Sequence, residues 1–116
     1  MISGIDLNAT MDYQIEDDKE NPTTWKIGII PRLVYLKLVQ ETSGDRVKAS
    51  FDVLQLALRG WDTFDVPYKV VKETFYGREM EVVPVTIIER IPLDFLFELA
   101  EKAIEFNNIG KDERKN

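Results

Sequence analysis

Residues 46–64 read RVKASFDVLQLALRGWDTF, an amphipathic helix followed by an aromatic exit. Val47, Phe51, Leu54 and Leu58 recur at i, i+4, i+7 and i+11, one face of a 3.6-residue period. Ala49, Val53, Leu56 and Ala57 widen that face until little of the circumference is polar. A helix of this kind, expected over 46–59, needs cover on more than one side. Gly60 is the expected stop, because glycine takes left-handed backbone angles at low steric cost. Trp61 and Phe64 follow, large enough to lock the exit against the body of the domain.

That body is small. At 116 residues the chain forms one domain, and 44% hydrophobic residues supply a core without a metal or disulfide staple. The zeros in the composition exclude more than the abundances suggest. With no cysteine there is no disulfide framework and no thiol chemistry. With no histidine the commonest general base and the commonest transition-metal ligand are missing, and Ser–His and Cys–His nucleophiles are impossible. GxGxxG and GxxxxGK[ST] are both absent, so no phosphate cradle is expected. The expectation is a non-enzymatic protein with no cofactor, no metal and no catalytic residues.

The net charge is −6. Within residues 1–23, Asp6, Asp12, Glu16, Asp17, Asp18 and Glu20 face Lys19 alone, a net −5, so nearly all of the imbalance sits there. No basic face of the kind nucleic acids require is visible. The run Glu16, Asp17, Asp18, Glu20 lacks the glycine and spacing of an EF-hand loop and reads as a solvated turn. No apolar run approaches the ~20 residues of a membrane span. Asp6, with no basic segment before an apolar core, is unlike a signal peptide.

Taken in order, residues 1–22 read as an acidic, loosely structured segment, with a short strand possible over 11–15 (Met11, Tyr13 and Ile15 on one face). Residues 23–30, TTWKIGII, form the strongest strand pattern, alternating Trp25, Ile27 and Ile29 with Thr24, Lys26 and Gly28. Pro31 ends it and suits the first turn of a helix over 32–42. There Leu33, Leu36 and Val39/Gln40 form one ridge, with Tyr35 and Leu38 beside it. Asp45 or Ser43 can cap the next helix. Residues 68–83 read as a hairpin about Tyr76-Gly77-Arg78. Thr86 and Glu89 match a capping box. A last helix, 92–107, buries Leu96, Leu99, Ala100, Ala103 and Phe106, and 111–116 form a charged tail.

The fold class expected is therefore α+β: a small antiparallel sheet, made of strand 23–30 and hairpin 68–83, packed by three helices over 32–42, 46–59 and 92–107. The domain proper spans 23–110. Four residues are candidates for contact with a partner. Trp61 and Phe64 are aromatic anchors of the type enriched at interface hot spots, set against their plainer role of closing the core. Val70 and Val82 lie on the hairpin, whose edge can pair with another strand or another copy. Lys69, Lys72, Arg78 and Arg90 read as ordinary surface charge.

Three stretches, NPTTWKIGII, ALRGWDTF and ERIPLDFLFELAEKAIEFNNI with the closing DERKN, resemble small tailed-phage proteins of virion assembly, most of all tail assembly chaperones. The resemblance covers roughly residues 21–116. It lies in turn and packing residues, and it transfers no single functional residue. It implies a non-enzymatic, acidic, α+β protein in the cytoplasm of a bacterial host. Such a protein forms homo-oligomers, binds tape measure and tail tube proteins, and touches neither nucleic acid nor membrane. A permanent virion component, such as a head–tail connector or minor tail protein, is the neighbouring alternative. A small metal-dependent hydrolase using the acidic residues is the alternative of another class.

Overall fold

A computed structural model describes residues 1–108. Along the chain these form β1 (Thr10–Gln14), β2 (Thr24–Gly28), α1 (Arg32–Glu41), α2 (Arg46–Ala57), β3 (Leu58–Asp62), β4 (Val71–Phe75), β5 (Arg78–Val82), α3 (Val85–Ile88) and α4 (Leu93–Asn107). The fold is α+β, as its pattern of periods implies. Among the described residues, no helix is long and apolar enough to cross a membrane.

The central helix α2 has no loop after it. Asp45 caps its start by accepting from the Lys48 N–H at 3.0 Å. At its end Leu58 is already extended (φ −71°, ψ 126°) and is the first residue of β3. The helix therefore stops at Ala57, not at 59, and Gly60 is no cap. Gly60 lies inside the strand, opposite Lys26, while Ile27 pairs with Leu58, so Arg59 is the extra residue of a β-bulge. A helix end leaves carbonyls without intrahelical partners, and here three different groups take them. Leu58 N–H donates to Leu54 O, the Arg59 guanidinium to Leu56 O, and Val83 N–H to Gln55 O at 3.1 Å. All three donors lie beyond the helix in sequence, and Val83 lies on the far side of the hairpin, so the end of α2 is fixed by tertiary structure.

This junction decides the sheet. Because β3 leaves α2 directly, it is delivered beside β2, and the main sheet is β1-β2-β3, antiparallel throughout. Strand 23–30 and hairpin 68–83 do not share a sheet as expected; β4 and β5 form a separate two-stranded one. Lys72, Thr74, Glu79 and Glu81 are exposed on the hairpin, whereas Phe75 and Val82 are buried. One face can therefore be covered, and α2 covers it. Gln55 clamps the hairpin's end, its Nε2 donating to Val83 O at 3.0 Å while its own carbonyl accepts from Val83 N–H. Phe75 pairs with Arg78 across a two-residue turn. Tyr76 (φ 52°) and Gly77 (φ 81°) are both left-handed, which is what a type I′ turn demands.

Residues 1–22 are less loose than the sequence suggests. β1 pairs with β2 from Thr10–Gly28 to Gln14–Thr24, and Ile15 is buried. Met11, Tyr13 and Ile15 do share the inward face. The charged tail, 111–116, lies outside the described residues. α3 is a single turn entered from Pro84; Thr86 sits within it and makes no cap.

α1 is rolled relative to expectation. Val34, Tyr35 and Leu38 face the core, and the ridge Leu33, Leu36, Val39 faces solvent. The cause is a polar tether at the end of α4. The Asn107 side chain is 1% exposed. Its Oδ1 accepts from Ile30 N–H (2.8 Å) and from Arg32 (3.1 Å), and its Nδ2 donates to Ala103 O (2.8 Å) and Gly28 O (3.3 Å). Arg32 also donates to the Asn107 carbonyl at 2.7 Å, and Tyr35 Oη to Asn108 Oδ1 at 3.3 Å. With Arg32 and Tyr35 pulled toward α4, Leu33, Leu36 and Val39 turn outward.

Two substitutions probe this arrangement. Asn107→Ala leaves the buried Ile30 N–H without its acceptor and removes the bond to the Gly28 carbonyl; a loss of about 3 kcal/mol is expected in urea unfolding. Gly28→Ala places a methyl 2.7 Å from Arg59 Nε and 2.8 Å from its Cγ, expelling the guanidinium that donates to Ile29 O at 2.8 Å. A loss of about 2 kcal/mol is expected. It should be strongly non-additive with Arg59→Ala in a double-mutant cycle.

Candidate protein-binding surface

The aromatic exit of β3 closes onto β2. Trp25, on the middle strand, is 3% exposed and forms the floor. Trp61 meets it edge-on with ring centroids 5.8 Å apart, and Phe64 lies 5.0 Å from Trp25 and 5.5 Å from Trp61. Thr63 between them is left-handed (φ 68°), an unusual conformation for a β-branched residue. It is held by the Thr23 hydroxyl, which donates to Thr63 O at 2.7 Å. Trp61 Nε1 donates to Val66 O at 2.7 Å, which brings the following segment back and sets Tyr68 edge-on to Trp61 at 5.2 Å. Each such ring pair contributes ~1 kcal/mol beyond its buried area. One donor in the cluster, the buried Trp25 Nε1, has no acceptor among the described residues.

The cluster is only partly covered. Trp61 and Phe64 are half-buried, and Tyr68 (42%) and Val70 (40%) are exposed. No backbone hydrogen bond holds Tyr68, Lys69 or Val70 among the described residues. Two of the four sequence candidates, Trp61 and Phe64, thus belong to one surface, and a third, Val70, is exposed two residues beyond Tyr68 in the chain. The fourth lies elsewhere. Val82 is 1% exposed, opposite Val71 in the hairpin, and packs inward. Its alternation with exposed Glu81 assigns its side chain to the covered face. Tyr68 was missed by sequence reasoning because only the Trp61–Val66 hydrogen bond, a tertiary feature, folds it onto Trp61.

The acidic turn has a structural role for one of its members. Asp18 accepts from Thr23 N–H at 2.8 Å, while Glu16, Asp17 and Glu20 are exposed. Among the described residues, no three His, Cys, Asp or Glu side chains converge on a common metal position. Lys69, Lys72, Arg78 and Arg90 are all exposed.

Two tyrosine–carboxylate pairs hold other elements together. Tyr76 Oη donates to Asp52 Oδ2 at 2.5 Å, and Lys48 Nζ donates to the same oxygen at 2.9 Å, tying the hairpin turn to α2. Tyr13 Oη donates to Glu98 at 2.5 Å, tying β1 to α4. Burial, and then donation to the carboxylate, push each phenol up to about 12. Both are neutral donors at neutral pH, with their protons committed to structure. The unfolded chain releases these protons near pH 10 and the folded chain only near 12. The native state binds more protons between those values, so stability falls as pH rises through that window. Urea unfolding at stepped alkaline pH should show this decline, and the double variant Tyr13→Phe, Tyr76→Phe should show a shallower one.

Compared with protein-family profiles, with curated protein sequences and with solved structures, the chain matches none.

Proposed function

We propose that this protein works by reversible contact with other proteins, as an assembly factor of the tail assembly chaperone kind. The observation that supports this reading is the half-open aromatic surface of Trp61, Phe64 and Tyr68. Partly exposed aromatics on a rigid sheet bind apolar segments with little loss of side-chain entropy. In this role the surface shields apolar stretches of tape measure and tail tube proteins in the cytoplasm of the bacterial host until the tube assembles. Several copies, each binding modestly, give avidity along an elongated partner while each copy stays displaceable.

Mass spectrometry of purified mature particles, with lysate of the same infection as control, tests this. The protein is expected in quantity in the lysate and missing from the particles. A fixed copy number in the particles would make it a permanent virion component instead.

A further inference from the structure

The hairpin is a sheet of two strands, so each strand has one edge without a partner strand. Phe75 and Arg78 flank the two-residue turn as a hydrogen-bonded pair. The alternation of an antiparallel ladder then makes Glu73–Met80 and Val71–Val82 bonded pairs as well. Lys72, Thr74, Glu79 and Glu81 turn their N–H and C=O groups away from the hairpin. The two edges differ. On β5 the next outward residue, Val83, is taken at both its N–H and its carbonyl by Gln55, and Glu79 and Glu81 line the rest with carboxylates. On β4, Val70, Lys72 and Thr74 are exposed, and among the described residues no turn, cap or side chain bonds the backbone of 68–70 or the outward groups of Lys72 and Thr74. The hairpin's own ladder cannot extend to cover them, because its register sets Lys69 opposite Pro84, which brings no N–H.

We propose that two copies of the chain pair through this edge, β4 antiparallel to β4, as one four-stranded sheet. An open strand edge is complementary to itself, since it offers donors and acceptors in alternation. The register follows from the sequence. Opposed residues point to the same face, so a two-fold axis normal to the sheet passes through a residue that faces its own copy. With the axis on Lys72 or on Glu73, like charges are set directly opposite, which is destabilising. With the axis on Thr74 or on Val70, the turn at Tyr76 or the proline at 67 enters the ladder. With the axis on Val71, Val71 faces Val71, and Lys69 faces Glu73 of the second copy on both sides of the axis. Val70 and Lys72, whose backbone groups point outward, become the bonded pairs. Lys69 is in no ion pair among the described residues, and Glu73 accepts from the neutral Gln55 amide at 3.1 Å, so both charges are free to meet. The junction is isologous and closes at two chains. It does not use Trp61 or Phe64 and stands or falls separately from the chaperone reading.

Sedimentation velocity over a dilution series tests it: mass should rise with concentration from one chain to two and stop there. Val70→Pro removes an N–H that the hairpin does not use and should weaken the dimer at least ~10-fold. Circular dichroism checks that this variant folds; if it does not, two charge variants carry the test. In Lys69→Glu carboxylate faces carboxylate across the axis, and in Glu73→Lys ammonium faces ammonium, so each alone should associate about 10-fold more weakly. Mixed at equal concentrations the two should pair with each other, because every opposed couple then has opposite signs. A wild-type chain monomeric at every concentration, or one that grows past two chains, overturns the proposal. So does folded Val70→Pro that dimerises like wild type, or a mixture of the charge variants no more associated than its components.

Discussion

The buried amide of Asn107 holds together what the rest of the chain leaves open. Between β2 and α1 the backbone must turn within Ile29, Ile30 and Pro31, and proline brings no N–H of its own. A carboxamide carries acceptor and donor on one planar group. Asn107 uses them to close the Ile30 N–H, the Gly28 carbonyl and its own helix end at once. The partners lie more than seventy residues away in sequence. The turn into α1 therefore has no local solution, and the last helix must dock before the first helix has a fixed orientation. Contacts of such separation slow folding because loop closure precedes their reward.

That dependence marks where sequence reasoning succeeded and where it stopped. The α+β class, the strong strand around Trp25 and Ile27, the hairpin and the buried stripe of α4 all follow from local periods and turn residues. The roll of α1 does not. Leu33, Leu36 and Val39 have the spacing of a buried ridge, and only the pull of Asn107 and Asn108 on Arg32 and Tyr35 turns them outward. Gly60 carries the signal of a helix cap, but the helix had already become strand two residues earlier. Tyr68 joins the aromatic surface through a hydrogen bond that no spacing encodes. The burial of Val82 escapes the sequence for a different reason: the hairpin's alternation is visible, but not which of its faces α2 covers.

Apolar surface on this domain is left open in particular places. Val53, Leu54, Ala57 and the inner face of α4 are sealed, each large side chain contributing ~2 kcal/mol by burial. The aromatic exit and the α1 ridge remain accessible. Isolated exposed leucines need no account, whereas aligned ones on a helix and clustered rings on a sheet form continuous apolar patches. The fold thus separates a sealed interior from apolar surface that stays partly open.

The junction of α2 with β3 bears on how binding at one place is felt at another. Most helices and strands meet through a few loop residues that absorb small displacements. Here the peptide leaving Ala57 is the peptide entering the strand, and the helix's last carbonyls are fastened to Arg59 and Val83. Trp61 stands four residues from the end of α2. A load on Trp61 is carried along β3 into α2 as into one stiff lever, and from there to the hairpin that Gln55 grips. A partner seated on the aromatic surface thereby gains a mechanical handle on the centre of the domain.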